Sequence, residues 1–150
     1  MRSHASISRL VPHHGTMCLL DGVQSWDAAQ IVCTAGSHRN PAHPLRDGLV
    51  LPAWCGIEYA AQAIAVHRGL LAGEDAGRRI GVIGALRNVV LGVARLDDIA
   101  ENLEITAIKV FEQGDSMMYD FVITAGDRTL LNGRASVMTT NAALEGDWTG

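Results

Sequence analysis

The run PAWCGIEYAAQAIAVHRGLLAG, residues 52–73, decides the fold. It opens on a proline, which suits the first turn of a helix. It continues in Ala, Ile, Leu and Gln, all helix formers, and meets no second proline before Gly73. A helix is therefore predicted from Ala53 to the Gly73 breaker. Its apolar positions Ile57, Ala60, Ala61, Ile64 and Ala65 go most of the way round the axis, as in a helix buried on several sides. Some other layer of the protein must enclose it.

The rest of the chain supplies that layer. Residues Ile80 to Leu91, Leu103 to Glu112, Met117 to Ala125 and Thr129 to Thr139 are rich in Val, Ile, Thr and Tyr. Gln113-Gly114-Asp115 and Gly126-Asp127 are turn signals between them, so long antiparallel strands are expected. Val122–Thr124 and Ser136–Thr139 alternate as a half-buried sheet does. Upstream, Asp21-Gly22 reads as a hairpin turn and Val23 to Ala35 as one strand. Between that strand and the helix, Gly36 to Pro52 carries three prolines, and so long an irregular stretch in a small domain is the first place to look for a site. The class is α+β, one long helix on one sheet. Residues 1–150 are expected to form a single domain, with no internal repeat in the sequence, and residues 1–9 and 141–150 to be loose tails.

Composition excludes several functions. The 150 residues are 48% hydrophobic, enough to enclose a core, and 19% charged. Twelve Lys and Arg against sixteen Asp and Glu leave a formal charge of −4, which argues against general nucleic-acid binding. Cys18, Cys33 and Cys55 make no Cys-x-x-Cys pair and read as reduced core residues of a cytoplasmic protein. The first twenty residues lack the order of a signal peptide, and the apolar stretch Leu49–Leu71 is interrupted by Glu58, Gln62, His67 and Arg68, so neither export nor a membrane span is expected. His13 and His14 have no third ligand at metal spacing.

Glu58 stands out as a carboxylate in an almost wholly apolar helix. Such a group is costly unless paired, protonated or facing a cavity, and burial would push it toward the range of a general acid. A carboxylate satisfied by the free N–H groups of the helix N-terminus is the plainer alternative. Gln62, one turn on, is placed to orient it. Gly56 is costly inside a helix and admits either a close ligand or close packing. Met117, Met118, Trp54 and Tyr59 are expected in the core or in the wall of a tunnel. Arg68, Arg78, Arg79, Arg87 and Arg95 could form a rim for an anionic partner.

Two segments resemble a known family. Pro12-His13-His14-Gly15-Thr16-Met17-Cys18-Leu19-Leu20-Asp21-Gly22-Val23 is similar, without gaps, to the opening segment of the hotdog-fold 3-hydroxyacyl-acyl-carrier-protein dehydratases. Leu51-Pro52-Ala53-Trp54-Cys55-Gly56-Ile57-Glu58-Tyr59-Ala60-Ala61-Gln62 resembles the start of their central helix, and its wording is similar to the divergent branch of aryl polyene pathways. Over residues 80–139 mainly the strand pattern and Gly84 fit.

The resemblance implies a curved antiparallel sheet wrapped around the helix, paired into a homodimer or a heterodimer with a related dehydratase. It also implies a substrate carried on the phosphopantetheine arm of an acyl carrier protein, and no cofactor. In that family a loop histidine of one subunit and a helix acid of the other remove water from the 3-hydroxyacyl thioester. Glu58, five residues after Ala53, falls on the acid position. The histidine position, fourteen residues before the acid, holds Pro44; His43 is fifteen before, and the family's His-Phe-Pro-Gly is missing. His43 is the candidate base if the loop holds one extra residue. The amide of Ala53 would receive the thioester carbonyl, with Gly56, Gln62, His13 and Gly84 lining the substrate. The missing motif equally motivates a non-catalytic subunit that completes a heterodimer, and an acyl thioesterase is a further alternative.

Overall fold

The computed structural model describes residues 18–73 and 79–141. Six strands form one antiparallel sheet: β1 (Gly22–Trp26), β2 (Gln30–Ala35), β3 (Arg79–Leu91), β4 (Leu103–Gln113), β5 (Ser116–Ala125) and β6 (Arg128–Asn141), in the order β1-β2-β4-β5-β6-β3. The helix α1 (Gly56–Ala72), preceded by a 3-10 turn at Ala53–Cys55, lies on one face. The α+β class and the single central helix are as the sequence predicts.

Two expectations near the start of the sheet are corrected. Residues 23–35 are not one strand: the chain reverses at Asp27, whose Oδ1 accepts the N–H groups of Ala29 and Gln30 at 2.8 and 2.9 Å. A short acidic side chain that captures backbone N–H groups makes a turn without glycine or proline. Asp21-Gly22, in contrast, is not a turn. Gly22 opens β1 opposite Thr34, and Asp21 Oδ2 accepts the N–H of Gly36 at 2.7 Å, pinning the end of β2. Of the expected tails, Asn141 pairs with Arg79 as the last residue of β6, and the other positions lie outside the described residues.

One rung explains how the sheet is filled. Val23, Cys33, Ile105, Ile123, Leu131 and Leu91 stand side by side across all six strands. The first five are at most 2% exposed under the helix, whereas Leu91, on the edge strand β3, is 46% exposed. Leu86 repeats the pattern beside buried Ala135. The core therefore takes in Ile83 and Val89 of β3 but leaves Leu86, Val90 and Leu91 of that edge strand open. The helix packs tightly on the sheet at Gly56, where a Cβ would stand 2.7 Å from Leu131 Cδ2 and 3.2 Å from Ile123 Cδ1. Packing of helix on sheet accounts for that glycine. All three cysteines are buried and unpaired.

Candidate active site

Glu58 lies in the first turn of α1, half-buried, on a stripe with Ala61, Ala65 and Arg68 that is not fully covered in the single chain. Gln62 Nε2 donates to Glu58 Oε1 at 3.4 Å. The amide is not free to turn, because Gln62 is 1% exposed and its Oε1 accepts the N–H of Leu19 at 2.8 Å. The i,i+4 contact expected from the sequence is present, and the Leu19 peptide fixes its direction.

His43 occupies the loop before the helix and is buried. Leu45 donates its backbone N–H to His43 Nδ1 at 3.1 Å, so Nδ1 carries a lone pair and, in the neutral ring, Nε2 carries the hydrogen. The other side of the ring leads to the same tautomer. Ser37 Oγ lies 2.8 Å from the carbonyl of Leu19 and must donate to it. The Tyr59 hydroxyl, 2.7 Å from Ser37 Oγ, must then donate to Ser37, and His43 Nε2, 3.0 Å from Tyr59 Oη, must donate to Tyr59. Burial, with Arg46 and His38 nearby, pushes His43 below the ordinary histidine range, and burial pushes Tyr59 up to about 12. The pair is neutral with every polar atom used.

The amide assigned to the thioester carbonyl is engaged as well. Ala53 donates its N–H to Ala94 O at 3.0 Å, where the connection from β3 to β4 is sewn to the helix entrance. Leu96 N–H to Leu51 O and Leu51 N–H to Asp97 Oδ1, each 2.8 Å, complete the seam. Asp97 is in turn gripped by Arg95, whose guanidinium holds its carboxyl down at about 2. Arg95 thus has an acidic partner in its own chain, and Arg134 pairs with Asp120. Gly84 sits in a bulge of β3 opposite β6, with open space where a side chain would be. Trp54 is not in the core of the subunit: it is 59% exposed. His13 and Arg78 lie outside the described residues.

A cavity of about 330 Å³ lies beside the same seam, lined by Val93, Ala94, Arg95, Asp98, Ile99 and Arg128, and includes neither Glu58 nor His43. No cluster among the described residues has the composition of a metal site, and no described helix is long and apolar enough to cross a membrane. Sequence reading missed Ser37 and the hydrogen-bonding role of Tyr59. The signal was present only as polar residues in the stretch from Gly36 to Pro52, next to a helix tyrosine read as wall.

A six-stranded antiparallel sheet in this order, folded against one long helix, defines a hotdog-fold protein. Residues 5–146 match the ApeP-like family, described as ApeP dehydratase, and the chain belongs to that family. Among solved structures it is similar to the dehydratase heterocomplex ApeI:P from Xenorhabdus doucetiae, with 22% identity, a TM-score of 0.80 and coverage of 96% of this chain and 97% of that one. It also resembles a thioesterase from Haemophilus influenzae (12% identity, TM-score 0.61, 94% and 92% covered). A third is AziG from S. sahachiroi (12% identity, TM-score 0.60, 81% and 91% covered). No curated protein sequence matches the chain at a significant level.

Proposed function

We propose that this chain is the assisting subunit of a heterodimeric dehydratase acting on 3-hydroxyacyl thioesters of an acyl carrier protein, and that it lends Glu58 to a site whose base belongs to the other subunit. One observation carries the reading. The His43 lone pair is filled by the Leu45 amide and its N–H is committed to Tyr59, so the ring offers no acceptor for a substrate proton. The engaged amide of Ala53 points the same way. Glu58, in contrast, lies on the partly covered stripe of the helix with its carboxylate steadied by Gln62.

In the composite site the base of the other subunit removes the α-proton of the thioester. The C2–C3 double bond forms as the C3–O bond breaks, and Glu58 delivers its proton to the departing hydroxyl, which leaves as water. The base then returns the proton it took to Glu58 through solvent. The heterodimeric partner is supported by the similarity to the ApeI:P heterocomplex and by the open apolar edge at Leu86 and Leu91.

The test is to assay the chain alone and with its related dehydratase on a 3-hydroxyacyl carrier-protein thioester, following the trans-2-enoyl product. The complex turns over, the chain alone does not, Glu58→Gln silences the complex and His43→Ala lowers its turnover by no more than about tenfold, the loss expected of a misplaced acid and not of a missing base. Full turnover by the isolated chain, or a larger loss of turnover in a folded His43→Ala complex, overturns the reading. Release of free acid without enoyl product would make it a thioesterase.

A further inference from the structure

We propose that Ser37 and Tyr59 are positioning residues for Glu58, acting through the backbone of Leu19; the inference rests on the role proposed for Glu58 above. Leu19 belongs to no strand or helix, yet it is 1% exposed. Its carbonyl takes the Ser37 hydroxyl at 2.8 Å, and its N–H goes to Gln62 Oε1 at 2.8 Å. The donors run one way from end to end: His43 to Tyr59, Tyr59 to Ser37, Ser37 to Leu19, then Leu19 to Gln62 and Gln62 to Glu58. Two of the five links are buried and three part-buried; because Leu19 O can only accept and Leu19 N–H can only donate, the Ser37 and Tyr59 hydroxyls and the Gln62 amide each have one orientation that satisfies both neighbours.

Ser37 is also held from outside the helix. Ser37 begins a 3-10 turn closed by Arg39 N–H to Gly36 O and Asn40 N–H to Ser37 O, and Gly36 is pinned by Asp21. The sheet end of β2 thereby sets where Leu19 lies, and Leu19 sets the rotamer of the amide that steers the carboxylate. The same atoms close off His43 and orient Glu58, so the loop histidine serves this chain as the anchor of its acid.

The experiment uses the complex with the related dehydratase and the same thioester substrate. Ser37→Ala is expected to lower kcat about tenfold with KM unchanged, since a small misplacement of a reacting group is worth one to two orders of magnitude. Ser37→Thr, which keeps the hydroxyl, restores kcat. Tyr59→Phe lowers kcat in the same direction and stands in should Ser37→Ala fail to fold. Tyr119→Phe, which removes a buried hydroxyl from a different histidine pair, leaves kcat unchanged and controls for general loosening. If Glu58→Gln silences the complex while Ser37→Ala and Tyr59→Phe keep full kcat, the positioning role is wrong and the proposed function stands. If Glu58→Gln itself has no effect, both fall. Equal losses from Tyr119→Phe and Ser37→Ala, without rescue by threonine, also overturn the positioning role.

Discussion

The backbone N–H of Leu45 points at Nδ1 of His43, 3.1 Å away, and makes that nitrogen an acceptor. A histidine whose Nδ1 is an acceptor presents Nε2 as N–H, and here that hydrogen is spent on Tyr59. Long-range proton–nitrogen NMR correlations on the isolated chain should therefore show His43 with an imine-like Nδ1 and a protonated Nε2 at neutral pH. The opposite tautomer would free a lone pair toward Tyr59 and return His43 to candidacy as a base.

Three buried histidines make stability sensitive to mild acid. Burial pushes His38, His43 and His67 below their ordinary value of 6.5. Below that pH the unfolded chain takes up protons that the folded chain refuses, so stability is full above it and falls as pH drops toward each folded value. Carboxylates such as Asp97 and Asp120, held low by Arg95 and Arg134, lose their contribution only below their ordinary value of 3.8. Urea midpoints should therefore decline between pH 6.5 and 5 and stay level above pH 7, and a flat profile across the lower window would contradict neutral burial.

His67 anchors the far end of the helix: Nε2 donates to Asp27 O at 2.7 Å and Nδ1 accepts the Tyr119 hydroxyl at 2.6 Å. Tyr119→Phe leaves a fully buried Nδ1 without a donor, which costs about 1–3 kcal/mol. Equilibrium unfolding in urea measures it, and a change within a few tenths of a kcal/mol would mean that the pair relaxes at no cost.

What could be read from the sequence follows from where its signals are local. Residues 79–141 were legible within one or two positions per strand because Gly114 and Gly126 mark the turns and both adopt positive φ. The reversal at Asp27 was not, since a side-chain oxygen rather than a glycine makes it. Glu58 was legible as the lone carboxylate of an apolar helix, and Gln62 as its neighbour one turn on. The fate of His43 was not, because it depends on a tyrosine 16 residues away, and the link to Glu58 runs through Leu19, 43 residues from Gln62. Chains of that kind exist only once distant backbone is brought together.

Gly56 offers a test of the helix seat. A methyl group there would meet Leu131 Cδ2 at 2.7 Å and Leu131 Cδ1 at 2.9 Å in a filled core. Alanine gains about 1 kcal/mol of helix propensity over glycine, while overpacking costs about 1–3 kcal/mol. Gly56→Ala should be destabilising in urea unfolding, with Gly56→Val worse. Were alanine stabilising, the leucine would have to move aside freely, and the glycine would have to be explained by a ligand instead.

The open edge gives the last prediction. Leu86 and Leu91 point to the helix side of β3, 40% and 46% exposed, where their rungs on the neighbouring strands are buried. An edge strand of 13 residues with apolar side chains on its helix face invites pairing or aggregation unless something covers it. In the proposed heterodimer the second subunit provides the cover, so Leu86→Glu and Leu91→Glu together should prevent co-elution with the related dehydratase. The variant chain should largely keep its urea midpoint, because both side chains are already 40% and 46% exposed in the single chain. Co-elution undiminished by two buried carboxylates would place the interface elsewhere, and with it the route by which Glu58 reaches a foreign base.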